Sequence, residues 1–201
     1  MKNIQNILEE IVKYLKNEKF VLSSQQNDGR LNSAINENEI INLIQKKFDI
    51  DIPSARNWAD FYIDKIPVNI KITTTKTADN ASSKEGLYYA LTGEIYFGSN
   101  NWENYLKQLK NNIKDTDKDY YFLVINKKDT KDIFLNSLKQ INSLQPNGNN
   151  LPFQIKWCDN KIMIKRNFQE VKQLLLGTLG KSIKLRANAY ISFKKYFSEY
   201  L

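Results

Sequence analysis

The chain has 201 residues, of which 41% are hydrophobic, so it is long enough to bury a core and is most simply one domain. It carries 30 Lys and Arg against 22 Asp and Glu, and the net charge of +8 favours a polyanion such as nucleic acid as its partner. With no histidine and one cysteine, it excludes histidine-based triads, histidine-ligated metals, cysteine-cluster zinc sites and intrachain disulfides.

Several other patterns are absent from the sequence. It contains no phosphate-binding glycine loop and no dinucleotide fingerprint, so we expect no nucleotide cofactor. No apolar run approaches the ~20 residues that span a bilayer. Glu9 and Glu10 interrupt the apolar pattern near the start, which a secretory signal would not allow. We therefore expect a cytoplasmic protein with no membrane partner.

Two helices are predicted before residue 50. Apolar residues at helical spacing predict helices at residues 1–19 and 36–48, separated by a polar, turn-forming segment at 23–33. Glu37 lies near the start of the second helix, at the edge of its apolar face. It fits both a functional carboxylate and a residue favoured by the helix dipole. Arg30 fits both a phosphate contact and a solvated side chain.

Residues 58–71 predict two short strands, 58–63 and 68–72, joined by a tight turn at Asp64, Lys65 and Pro67. With period two, Asn69 and Lys71 point to the same face of the second strand. The hairpin brings Asp60, on the first strand, close to them. An acid, an amide and a lysine are therefore expected to converge at one end of a sheet, and a purely structural hairpin has no use for this set.

Helices and strands alternate along the rest of the chain. The polar run 72–83 predicts a loop, and residues 119–126 predict a buried central strand. Further helices are predicted at 84–92, 101–113, 130–144, 168–176 and 181–201, with a loop at 145–150 and a strand at 151–157. Gly177 and Gly180 are expected to interrupt the last helical stretch. The fold class is α/β (α+β), with a mixed central β-sheet flanked by helices.

The hairpin resembles the core of the PD-(D/E)XK nucleases, and above all type II restriction endonucleases. That motif is an acid on one strand followed by acid-X-Lys on the next. Asp60 matches the first acid, with Ala59 where the family often has Pro, and Asn69-Ile70-Lys71 matches the second half. Asn69 departs from the motif because it replaces an Asp or Glu. The resemblance is detailed over residues 37–84 and architectural beyond them.

The resemblance implies a restriction-endonuclease-like fold and a single nuclease domain over 1–201. Its catalytic core would cover about 36–126, and elements for DNA contact and dimerisation would lie in about 127–201. The implied activity is Mg²⁺-dependent, site-specific hydrolysis of double-stranded DNA, with Mn²⁺ as a substitute, in the cytoplasm of a prokaryote. A homodimer is expected, because a palindromic site has two-fold symmetry.

The resemblance also implies roles for individual residues. Asp60, Asn69, Glu37 and the backbone carbonyl of Ile70 would bind the metal, and Lys71 would orient or help to deprotonate the attacking water. Residues expected to contact DNA are Arg30, Thr73, Lys76, Asn80, Lys84, Asn147, Asn149, Asn150 and Lys161. The asparagines of the 147–150 segment equally fit an ordinary turn.

Asn69 leaves three alternatives open. It is a natural variant compensated by Glu37, or the mark of an inactive family member that binds without cutting, or an engineered Asp→Asn change. Two other function classes also fit the composition. One is a basic nucleic-acid-binding module without catalysis, and the other is an interaction domain whose lysines are only solvated. Salt-dependent DNA affinity separates these two classes.

Overall fold

A computed structural model describes residues 4–22, 29–54, 57–98, 101–149 and 152–201, with only the backbone described at 29–34. Across these ranges the chain is a mixed α/β protein with a four-stranded mixed sheet and a three-stranded antiparallel sheet. None of the helices in these ranges is long and apolar enough to cross a membrane. Residues 1–3, 23–28, Asn150 and Leu151, which belong to the predicted first helix, polar segment, loop and last strand, lie outside the described residues.

The elements follow one another in the order α1 (Ile4–Asn17), α2 (Gly29–Gln45), β1 (Phe61–Ile63), β2 (Ile66–Thr73), β3 (Ala78–Ala81), α3 (Lys84–Thr92), α4 (Trp102–Asn112), β4 (Tyr121–Asn126), β5 (Asp129–Ser137), β6 (Gln145–Pro146), β7 (Phe153–Lys156) and α5 (Phe168–Tyr196). Short 3₁₀ turns occupy Trp157–Asp159 and Ser198–Tyr200. The predicted helices at 1–19, 84–92 and 101–113 are confirmed within a few residues. So is the predicted strand at 119–126.

The main sheet has the strand order β1-β2-β4-β5. The predicted hairpin is confirmed in its pairing: β1 and β2 are antiparallel, with Phe61 opposite Val68. Its bounds differ, because β1 begins at Phe61, so Asp60 comes just before the strand and not within it, and Pro67 lies in β2 opposite Tyr62 and not in the turn. Asp64 and Lys65 form its turn with φ angles of 49° and 66°, and positive φ at both central residues is typical of a two-residue type I′ turn. β2 then runs parallel to β4, which places Asn69 beside Phe122 and Lys71 beside Val124.

Apolar cores lie on both faces of the main sheet. One face is covered by α1 and α2 and buries aliphatic residues such as Leu8, Ile40 and Ile70. The other face is covered by α3, α4, α5 and the second sheet, and it is rich in aromatic residues. There the rings of Phe122 and Trp157 lie 5.1 Å apart between centroids. Because both faces are buried, β4 is apolar along almost its whole length.

The second sheet has the order β3-β7-β6, and the sequence predicted only β7. The prediction of a loop over the whole of 72–83 is wrong. β2 continues to Thr73, and Ala78–Ala81 pairs with Phe153–Lys156 of β7. The predicted loop at 145–150 is likewise wrong at Gln145–Pro146, which pairs with the same strand. Both segments are polar and gain their strand conformation from the β7 backbone rather than from intrinsic propensity.

The helix predicted at 130–144 is wrong, because this stretch contains β5. Ile133 and Leu135 face the aliphatic core while Phe134 faces the aromatic core, a strand alternation that also satisfies the apolar spacing. β5 pairs with β4 through a tight reversal in which Asn126 Oδ1 accepts a hydrogen bond from the Lys128 N–H. The backbone N–H and C=O groups of β4 that face away from β2 need hydrogen-bond partners, and the β5 backbone provides them.

The two C-terminal helices predicted at 168–176 and 181–201 are one helix, α5. Asn167 and Glu170 form a capping box at its start. Gly177 and Gly180 lie inside it, and burial of Val171, Leu175 and Leu179 on one face outweighs the cost of about 1 kcal/mol per glycine. The polar segment predicted at 23–33 is also wrong at 29–33, since α2 begins at Gly29 rather than at residue 36.

Candidate active site

Asp60 ends the pairing between β1 and β2. Its N–H donates to the Val68 carbonyl at 3.0 Å, and its carboxylate Oδ2 accepts from the Ile70 N–H at 2.6 Å. The Asp60 carboxylate therefore accepts the hydrogen bond that a backbone carbonyl of β1 would accept if the strand pairing continued, and this fixes the side chain beside β2. Burial raises the pKa of Asp60, while the Ile70 N–H and the Lys71 ammonium oppose that rise.

The edge of β2 beside Asp60 offers two further oxygen atoms. The carbonyl of Ile70 lies on the Asp60 side of the strand, because the N–H and C=O of one strand residue point to the same side. The amide oxygen of Asn69 is buried, and no hydrogen-bond donor among the described residues reaches it. An unsatisfied buried acceptor costs about 1–3 kcal/mol. A bound donor or cation would recover that cost.

Glu37 approaches the same edge from α2. Half-burial and then the Asp60 carboxylate raise the pKa of Glu37 to about 7, while the Lys71 and Lys127 ammonium groups oppose the rise. Glu37, Asp60, Lys71 and Lys127 therefore form one cluster of interacting charges. The structure brings together Asp60, Asn69, Ile70, Lys71 and Glu37, all five predicted for the site.

Lys127 is a member of this cluster that the sequence reading missed. It follows β4, and its N–H donates to the Thr73 carbonyl at 2.8 Å, which fixes the residue beside the end of β2. The parallel pairing of β2 and β4 places the carboxyl ends of both strands at the same edge. The signal was present in the sequence, since Lys127 comes directly after the predicted central strand.

The oxygen atoms of this edge fit a hard divalent cation. Mg²⁺ is commonly bound by one or two carboxylates together with substrate phosphates and water. Glu37 and Asp60 supply two carboxylates, and the unpaired Asn69 oxygen supplies a neutral ligand. In the part of the chain that the structure describes, no group of three His, Cys, Asp or Glu side chains converges on a metal position. Asn69 supplies a neutral amide oxygen where the motif that the sequence resembles has a carboxylate.

The residues predicted to contact DNA after β2 differ in accessibility. Lys76 and Asn80 are exposed, whereas Thr73 is buried at the end of β2. Asn147 is also buried. Its side-chain NH₂ donates to Asn80 Oδ1 at 2.9 Å, so the two predicted contacts form a link between β3 and the loop after β6. Of these four side chains, Lys76 and Asn80 are the ones presented to solvent.

The remaining predicted DNA contacts are dispersed. The Lys84 ammonium lies 4.4 Å from the centroid of the Trp102 ring. Lys161 forms an ion pair with Asp132 of β5 at 2.7 Å, at the edge of the main sheet opposite β1 and therefore far from Asp60. Asn149 is exposed. For Arg30 the structure describes the backbone alone, in the first turn of α2.

No family model, curated protein or solved structure matches this chain.

Proposed function

We propose that the chain is a Mg²⁺-dependent nuclease that cuts double-stranded DNA at specific sites, as type II restriction endonucleases do. The observation that carries this proposal is the cluster of the Asp60 and Glu37 carboxylates with the Lys71 ammonium beside β2, next to Asn69, whose amide oxygen is buried without a hydrogen-bond partner among the described residues. Without a metal ion, the two carboxylates would repel a phosphate group. A divalent cation bound between them would neutralise this charge, and together with the lysine it would form a phosphate-binding site.

Asp60, Glu37, Asn69 Oδ1 and the Ile70 carbonyl would hold the metal ion, with Mn²⁺ as a substitute for Mg²⁺. When bound, a divalent ion at these oxygens neutralises charge on the scissile phosphate and favours attack by water. The hydrogen bond from the Ile70 N–H fixes the Asp60 carboxylate, so this ligand is already in place before an ion arrives.

Lys71 and Glu37 would act on the phosphate and on water. The Lys71 side chain shares the face of β2 that carries Asn69 and would stabilise negative charge that develops on the phosphate oxygens. Lys71 would also orient or help to deprotonate the attacking water, and Glu37 would hold that water through the metal ion, which would favour the charged form of its carboxylate. Lys127 adds a second cation next to Glu37.

The net charge of +8 supports binding to the DNA backbone. Lys76 and Asn80 are exposed in the segment that leaves the site and are our candidates for contacts to phosphates and base edges. A homodimer would place two such sites on the two strands.

A second function is favoured by one observation, the neutral amide of Asn69 where the motif has an acid. In that alternative the chain keeps the fold and the positive charge and binds DNA without cutting it. Cation affinity would then be too low for catalysis, since Asn69 supplies a neutral oxygen in place of a carboxylate.

The test is digestion of a phage DNA of high sequence complexity by the purified chain in Mg²⁺ and then in Mn²⁺. Asp60→Asn is compared with Asp64→Asn, the same change at an exposed turn residue of the same hairpin. Discrete fragments from the wild type and from Asp64→Asn, but not from Asp60→Asn, support the nuclease. Retarded DNA on a gel with no fragments in either metal supports the binding protein, and neither binding nor cutting contradicts both.

A further inference from the structure

The segment that carries Asp60 lies outside the strands and helices. It runs from Asn57 to the start of β1 at Phe61. Its backbone joins the strand ladder only at the Asp60 N–H, which donates to the Val68 carbonyl at 3.0 Å. Backbone groups outside a ladder need other hydrogen-bond partners. In this segment side chains supply them.

One peptide unit of the segment is held at both of its polar atoms. The Trp58 carbonyl accepts a hydrogen bond from the Tyr120 hydroxyl at 2.8 Å, and the Ala59 N–H donates to Asn57 Oδ1 at 3.1 Å. This carbonyl and this N–H belong to the same planar peptide group and point in opposite directions. The two hydrogen bonds therefore fix the orientation of the plane, and Asp60 is the next residue along the chain.

Tyr120 is itself rigidly held. Its side chain is 2% exposed, and its ring lies 5.0 Å from the Phe122 ring and 5.4 Å from the Trp58 ring between centroids. On the α3 side, Gly86 comes so close that a Cβ there would lie 2.8 Å from the Tyr120 ring. Burial and then the Asp60 carboxylate raise the pKa of Tyr120, so the hydroxyl keeps its proton and stays a donor.

We propose that Tyr120, together with Asn57, is a positioning residue that sets the place of the Asp60 carboxylate. Asp60 Oδ2 accepts from the Ile70 N–H at 2.6 Å, and a backbone shift of about 1 Å at Asp60 would stretch that hydrogen bond beyond its usual range. A metal ligand has to be held within about 0.5 Å of its working geometry. The inference rests on the proposed function, in which Asp60 is such a ligand. Tyr120 acts on it through the Trp58 backbone.

A second buried tyrosine provides the matched control. Tyr105 is 0% exposed, and its hydroxyl donates to the Lys84 carbonyl at 2.8 Å. This hydrogen bond joins α4 to the start of α3 and has the same length as the one from Tyr120 to Trp58. Tyr105→Phe therefore removes the same kind of hydrogen bond as Tyr120→Phe. A difference between the two variants reports on the segment before β1 and not on the loss of a buried hydrogen bond in general.

The first measurement is amide hydrogen exchange by NMR in the full chain without metal. The Ile70 N–H is bonded to the Asp60 carboxylate, whereas the Lys71 N–H points to β4 on the other side of the strand. Tyr120→Phe should speed exchange at Ile70 by about tenfold or more relative to Lys71, the effect of losing one hydrogen bond to a charged group.

Two variants accompany Tyr120→Phe in this measurement. Asn57→Ala alters an exposed residue, so it leaves the core intact, and it should also speed exchange at Ile70. Tyr105→Phe should change the Ile70 and Lys71 amides alike. Equal effects of Tyr120→Phe and Tyr105→Phe on the ratio of the two exchange rates would overturn the inference.

The second measurement is Mn²⁺ affinity by electron paramagnetic resonance. Tyr120→Phe should weaken binding by about tenfold, and Tyr105→Phe should leave it unchanged. Added to Asp60→Asn, Tyr120→Phe should have no further effect, because it acts through that carboxylate. Unchanged affinity in Tyr120→Phe, or an equal loss with and without the Asp60 carboxylate, would overturn the inference. A wild type that binds no Mn²⁺ contradicts the proposed function instead, and the amide exchange then decides whether Tyr120 positions the carboxylate.

Discussion

Glu37→Gln should stabilise the protein at alkaline pH while removing a proposed metal ligand. The pKa of Glu37 is about 7 in the folded chain against an ordinary value of 4.5, because the carboxylate is half-buried and faces Asp60. Between these two pH values the folded state binds more protons than the unfolded state. Stability is therefore lost as the pH rises from 4.5 to 7, and the full penalty remains above pH 7.

The size of the penalty follows from the interval between the two pKa values. At about 1.4 kcal/mol per pKa unit, it is at most about 3 kcal/mol. Glu37 is only half-buried, and solvent screens part of its repulsion from Asp60, so we expect about 1–2 kcal/mol. Gln has the same shape without the charge. It should raise the free energy of unfolding by that amount at pH 8.5 and by close to zero at pH 4.5.

Urea unfolding at the two pH values measures the difference. Glu39→Gln is the matched control, since Glu39 is an exposed carboxylate on the same helix and its replacement should change little at either pH. Added Mg²⁺ should stabilise the wild type more than Glu37→Gln at pH 8.5. Equal effects of Glu37→Gln at pH 4.5 and pH 8.5 would refute the reasoning, because the charge would then carry no penalty.

Three further results are expected. Asn69→Asp adds the carboxylate that the motif normally has, so calorimetry should show Mn²⁺ binding that is tighter by about tenfold or more, and the metal-free protein should be less stable. Unchanged Mn²⁺ affinity would remove Asn69 from the proposed metal ligands. Gly86→Ala should lower the free energy of unfolding in urea by about 1–3 kcal/mol, because the added Cβ would lie 2.8 Å from the Tyr120 ring. Gly180→Ala should raise it by about 0.5–1 kcal/mol, because no described atom lies within 4 Å of the added Cβ. Lys76→Ala should lower the slope of log affinity for DNA against log salt by about 1, and an unchanged slope would remove Lys76 from the phosphate contacts.

The arrangement of Asp60, Asn69 and Lys71 around the hairpin was predictable because its signal is local. Period two in residues 58–71 was enough to place Asn69 and Lys71 on one face and to bring Asp60 beside them. Glu37 was harder, since its distance from Asp60 depends on how α2 packs on the sheet. In the structure Glu37 lies close enough to the hairpin for the Asp60 carboxylate to raise its pKa and for the Lys71 ammonium to lower it.

The errors arose where tertiary pairing decides the conformation. Residues 130–144 have apolar spacing that fits a helix and a strand equally, and only the open side of β4 selects the strand. Ala78–Ala81 has little strand propensity and is extended because β7 lies beside it. Gly177 and Gly180 do not break α5, because the cost of a glycine is smaller than the burial of a leucine on the next turn. Sequence periodicity carries none of this information.

The measurement that tests the central claim most directly is Mn²⁺ binding followed by electron paramagnetic resonance, since it needs no knowledge of the DNA target. Wild type and Asp64→Asn should bind the ion and lower the free Mn²⁺ signal, with binding stronger at pH 8 than at pH 6 because Glu37 must lose its proton. Asp60→Asn should weaken binding by about tenfold or more. Equal binding by Asp60→Asn and wild type, or no binding by any of the three, would contradict a metal site at the edge of β2.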